Sequence, residues 1–288
     1  RDVTGVQTCA LPIYNMKNIN SIKNFLLTAA LALIILVNPV EAKYGKNKVQ
    51  YRGMDWSYIQ TPHFDVYFYE GGESIAYFAA DVAEKSYEQI SYQLDWRLSK
   101  RISVLVYNSH NDFQQTNVTL GYLQEGIGGF TELFKNRVVL PFEGSYEQFR
   151  HVLHHELTHA VVNDLIFGGN VQSIVSGKMR VNIPLWLSEG YAEYSSLDWD
   201  SRADMIIRDA AINGSLPPIQ YLNYYMAYKG GQSVVRYIGE TFGVERIGEI
   251  LHETRHFKDV PKAIENTLHL DLETLTEKWH FAVRKDYW

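Results

Sequence analysis

The stretch His155-Glu156-Leu157-Thr158-His159 constrains this chain more than any other feature. On an α-helix, residues four apart share a face, so His155 and His159 can close on one metal ion from the same side. Glu156 stands at the edge of that face, where its carboxylate can reach a water on the ion without binding the ion itself. Around these three lie Tyr146, Phe149, Val152, Leu153, Leu157, Ala160, Val161 and Val162, an apolar surface broad enough for a helix largely inside the protein. Imidazoles and a carboxylate in such a place need partners, and a metal supplies them. A second register pairs His151 with His155 but puts Val152 where a base belongs, so His151 and His154 read as structural or outer-sphere histidines.

Two histidines need a third protein ligand and an open position for water. Pro184-Leu185-Trp186-Leu187-Ser188-Glu189-Gly190-Tyr191-Ala192-Glu193-Tyr194 reads as an apolar, aromatic helix with two carboxylates four apart, and spacing alone leaves Glu189 and Glu193 nearly tied. HELTH followed by WLSEGYAEY resembles the gluzincin zinc metallopeptidases, in particular the peptidase MA-like and aminopeptidase N-like groups, with relatives in thermolysin. That resemblance makes Glu189 the third zinc ligand, so that His155, His159 and Glu189 would hold one zinc ion. It casts Glu156 as the general base acting on a zinc-activated water. It also assigns Glu193 an outer-sphere task, accepting the free N–H of a ligating histidine.

The same resemblance extends to Tyr228-Lys229-Gly230-Gly231, similar to a Y-x-K-G segment whose tyrosine hydrogen-bonds the oxyanion. Tyr228 and Gly231 match it, while Gly230 stands in the lysine's place. Tyr228 is thus the candidate for steadying the oxyanion, with Tyr225 its nearest rival. Gluzincins also set an edge strand beside the metal, on which an extended peptide pairs through its backbone. Arg137-Val138-Val139-Leu140-Pro141 is the strand expected in that place, with Val138 and Val139 as substrate-pairing residues; an ordinary core strand is the equal alternative. The preceding Gly128-Gly129-Phe130-Thr131-Glu132 is loosely similar to the G-x-M-E-N segment of aminopeptidases, which would make Glu132 an amine anchor.

The fold class expected is α+β and zincin-like: a small mixed sheet subdomain, then a mainly helical one, with the metal helix at their junction. Strands are expected at 64–69, 102–107 and near Phe130 and Val138. Helices are expected at 73–94, 146–165, 185–195, 201–212, 224–242, 244–253 and 272–285, with the metal helix ended near Gly168 and a loop from there to Asn182.

Residues 1–15 read as a non-native, adapter-derived segment. Residues 16–42 read as an export signal: Met16, then Lys17 and Lys23, the apolar run Phe25–Val37, and a small-residue cleavage site at Ala42. Residues 43–288 are the expected peptidase domain, truncated at its C-terminus, since similar regions open longer bacterial proteins that continue into a TolB-like β-propeller. Thirteen residues, apolar except for Thr28, are too few to span a membrane, so membrane association is expected only through export or the envelope. The one cysteine, Cys9, falls in the first segment, which excludes disulfides from residues 43–288. A net charge of −6 and a pI near 5.9 carry no nucleic-acid footprint. The function expected is that of an exported (periplasmic or extracellular) zinc peptidase acting on peptides or proteins. Its rival is a catalytically silent, peptidase-like binding or assembly module of the cell envelope.

Overall fold

The structure, a computed structural model, describes residues 51, 53–119, 123, 126–133, 135–168 and 181–288. The expected segments 1–15 and 16–42, Cys9, and most of the loop after Gly168 lie outside the described residues. From Ser57 the chain lays down a five-stranded sheet. Its strands are β1 (Ser57–Gln60), β2 (Phe64–Phe68), β3 (Ile102–Tyr107), β4 (Phe130–Glu132) and β5 (Arg137–Pro141), in the spatial order β1-β2-β3-β5-β4. The two outer pairings are antiparallel and the two inner ones parallel, so the sheet is mixed. Parallel strands need a long crossover. Between β2 and β3 it is α1 (Glu73–Leu94), whose buried stripe from Ile75 through Ala79 and Ala83 to Leu94 is rich in small side chains.

Register accounts for the core. Val66 lies opposite Val104, and Val104 opposite Val138, so one pleat face presents Phe64, Val66, Val104, Val106, Val138 and Leu140. On that face pack α1 and α3 (Tyr146–Phe167). The other face carries Tyr107, Val139 and Phe113 in a smaller cluster, Phe113 coming from α2 (His110–Gln114). Strand β5 is therefore buried on both faces, as its unbroken apolar run requires.

After α3 the described chain is helical: α4 (Leu185–Leu197), α5 (Ser201–Ile212), a single 3-10 turn at Ile219–Tyr221, α6 (Tyr225–Phe242), α7 (Glu245–Phe257), α8 (Val260–Leu268) and α9 (Leu272–Tyr287). This is the α+β plan expected, a small sheet followed by helices, with β1, α2 and α8 as elements the pattern did not announce.

Helix α3 sits between the sheet and the helices. Ser145 caps its start by accepting from the Gln148 N–H at 3.2 Å, and Gly168 ends it at φ +62°, a left-handed turn that glycine makes without strain. Thirteen of its residues are buried, which is why it shows no single polar face. Helix α4 crosses α6 at main-chain contact. A Cβ on Gly190 would come within 2.6 Å of the Gly231 Cα, and one on Gly231 within 2.9 Å of the Gly190 Cα and 3.0 Å of the Trp186 carbonyl carbon. Both positions admit glycine alone.

Candidate metal centre

Helix α3 aims both imidazoles at one point, and α4 brings Glu189 to the same point. His155 Nε2 and His159 Nε2 are 3.1 Å apart, and each is 3.2 Å from Glu189 Oε2. The three form the one group among the described residues with metal-ligand geometry. A tetrahedral zinc with bonds of about 2.0–2.1 Å spaces its ligand atoms by about 3.3 Å, close to this triangle. The donor chemistry fits as well. His155 Nδ1 lies 3.1 Å from Glu193 Oε1, at ion-pair distance though off the line of a straight hydrogen bond, and His159 Nδ1 is 3.4 Å from Ser188 Oγ. With both Nδ1 atoms protonated toward those oxygens, two imidazole lone pairs and a carboxylate oxygen converge.

The carboxylates around His155 favour positive charge on it, which a proton supplies when no metal is bound. Burial alone would push the His155 pKa down, but contact with Glu189, Glu193 and the Glu156 charge pushes it up to about 10. Burial would raise Glu189, yet its bonds to His155 and His159 hold it at about 2. The surrounding carboxylates thus attract positive charge, and two imidazole nitrogens with a carboxylate oxygen are a donor set that zinc takes.

Glu156 is 8% exposed and is held from the sheet. Thr131 Oγ on β4 is 2.7 Å from Glu156 Oε2 and 2.8 Å from the Glu156 main-chain oxygen. The stem is also walled in, since a Cβ on Gly129 would meet Glu156 Cγ at 3.3 Å and Val152 Cγ1 at 3.0 Å. Sequence reasoning missed Thr131, and an isolated threonine in a three-residue strand carries no signal of its own. Thr131→Val keeps the shape and removes the donor. It should lower any Glu156-dependent turnover by roughly tenfold, since a hydrogen bond to a charged group contributes about 1.5–3 kcal/mol, while melting within a few degrees of the parent. Unchanged turnover in that variant would remove Thr131 from the site.

Tyr228 lies beside His155. Its ring stacks on His155 at 6.2 Å and 13°. Burial and the carboxylates of Glu189, Glu156 and Glu193 push its pKa up to about 12, so the phenol keeps its proton and can donate it in a hydrogen bond. Tyr225 lines the same cleft but is 48% exposed. The cleft has a volume of about 640 Å³ and runs from the Gly126–Gly129 backbone past Glu156, His155 and Tyr228 to Asp200 and Arg202.

Two expectations need correction. Val138 and Val139 are 0% exposed, and β5 is hydrogen-bonded to β3 on one side and to β4 on the other, so neither residue can pair with a substrate. The edge on this side is β4. Glu132 is also committed elsewhere: its carboxylate accepts from Arg137 Nε at 3.1 Å and from the Lys135 N–H, which fixes the β4–β5 turn. Asn136, at φ +49°, ties the same turn to α3 by donating to the Ala160 carbonyl at 3.0 Å.

His151 and His154 pack as structural histidines. His154 Nε2 lies 2.9 Å from Ser195 Oγ, and burial with the neighbouring His151 and His155 charges pushes its pKa to about 4. His151 Nδ1 lies 3.1 Å from Ser196 Oγ. Glu193 Oε1 faces His155 Nδ1 at 3.1 Å, and its second oxygen meets a buried lysine, Lys229. That lysine also went unread as a site residue. The available signal was a lone charge among Met226, Ala227, Gly230, Val234 and Val235.

The family model for the Peptidase MA superfamily matches residues 82–285. No curated protein matches the chain.

Proposed function

The chain belongs to the Peptidase MA superfamily, and from that membership we propose a zinc-dependent peptidase that hydrolyses peptide bonds with Glu156 as general base. One observation carries the reading: two histidines and a glutamate converge at ligand spacing with a buried, separately anchored carboxylate beside them. A bound zinc would polarise the scissile carbonyl and acidify a water. The rest of the chemistry falls to the chain. Glu156 takes a proton as the water oxygen bonds to the carbonyl carbon, then delivers that proton to the amide nitrogen as the C–N bond breaks. Thr131 keeps the carboxylate aimed throughout. Tyr228 donates to the carbonyl oxygen as negative charge gathers there. The edge of β4 that no described strand pairs with, together with the glycine backbone before it, would give an extended substrate main-chain partners and select backbone more than side chain.

Zinc analysis and peptide cleavage test the reading together. The chain from residue 43 should hold one zinc per molecule and cleave an unstructured peptide library in a reaction that a chelator stops. Stripping the metal should also lower the melting point, because a ligand at a hundred times its Kd stabilises by about 2.7 kcal/mol. Stoichiometric zinc without any turnover would instead favour a silent binding module. We propose an exported location from the signal-like stretch Met16–Ala42. Recovery of the chain expressed from Met16 only in the cytoplasm would refute that part.

A further inference from the structure

Lys229 is nearly sealed from solvent, its side chain 6% exposed, and each of its three ammonium protons has an acceptor. Nζ lies 2.5 Å from Glu193 Oε2, 2.8 Å from Asp200 Oδ2 and 3.1 Å from Gln232 Oε1. Gln232 is itself fully buried and donates to the Asp198 carbonyl at 2.8 Å, so the socket around the ammonium is fixed. Asp200 is fixed from its other oxygen, which accepts from the Arg202 and Ala203 N–H groups at the start of α5. Glu193 is then held from one side by Lys229 through Oε2, while Oε1 faces His155 Nδ1 at 3.1 Å.

We propose that Lys229, braced by Asp200, is a positioning residue for the metal centre: it fixes the Glu193 carboxylate that orients His155. Two effects oppose each other here. A cation this close repels a second cation electrostatically, which would weaken metal binding. Against that, a buried carboxylate without its partner is costly to keep in place and turns toward water, and loss of an outer-sphere partner typically weakens metal binding by about 10–100-fold. The orientation effect is the larger, because among the described residues Glu193 has no cationic partner besides Lys229 and the histidines.

The inference rests on the zinc reading, and its test reads metal affinity, not turnover. Zinc dissociation constants are measured by competition with a chromophoric chelator for the parent chain, Lys229→Met, Glu193→Gln and the double variant, with the melting point of each zinc-free form as a folding control. Lys229→Met should weaken zinc binding about tenfold in the parent background and less than about threefold in the Glu193→Gln background, since the lysine acts through that carboxylate. Should Lys229→Met not fold, Lys229→Gln, which keeps a donor without the charge, takes its place with the same expectation. Unchanged or tighter zinc binding in the lysine variant overturns the inference, as does an equal loss in both backgrounds. A parent chain that binds no zinc overturns the zinc reading itself, a result distinct from either.

Discussion

Glu156→Gln should lower peptide turnover by two to four orders of magnitude while the bound zinc stays at one per chain. A positioned general base contributes about 10²–10⁴-fold, or roughly 3–5 kcal/mol of barrier. The loss should fall on kcat, because the carboxylate acts once the substrate is in place. The amide has the same outline and keeps an oxygen that the Thr131 hydroxyl can donate to, so the helix and its two histidines have no reason to move. His155, His159 and Glu189 are untouched, which separates this variant from one that simply loses metal. Parent-level cleavage by a zinc-replete Glu156→Gln protein would end the mechanism.

The second large effect is on stability. Gly231→Ala should cost more than about 4 kcal/mol, at the exceptional end for a single substitution, and lower the melting point by about 10 °C or more. The new methyl group would meet main-chain atoms of Trp186 and Gly190, which cannot rotate away. Gly230→Ala is the internal control. Its methyl group would meet only the ends of the Leu222 and Met226 side chains, at 2.8 and 3.2 Å. Those ends can shift, and alanine is favoured over glycine in a helix by about 1 kcal/mol, so the variant should melt within a few degrees of the parent. Adjacent residues of one helix are thus expected to differ by several kcal/mol, as thermal melts would show. Equal melting points for the two variants would mean that the α4–α6 approach is looser than described.

Much of this was legible in the residues. Helix α1 runs from Glu73 to Leu94, the range its apolar spacing indicates, and HELTH lies on a buried helix closed by Gly168. The edge of the sheet was misplaced for a physical reason. Val138-Val139-Leu140 is the stronger β signal, but an unbroken apolar run marks a strand covered on both faces and paired on both sides. The true edge, Phe130-Thr131-Glu132, is too short to produce a pattern. Residue chemistry also hid Lys229 and Thr131, whose importance lies in partners 36 and 25 positions away. Helix α8 was missed because its nine residues follow α7 after a break of two residues, Lys258 and Asp259, with no glycine between them.

The glycine-to-glycine crossing has a kinematic meaning. Two helices in main-chain contact cannot slide past one another without passing through overlap, so α4 and α6 travel as one body. That body carries Glu189 and Glu193 on one helix and Tyr228 and Lys229 on the other. The residues that face the His155–His159 pair from these two helices therefore keep fixed distances from one another.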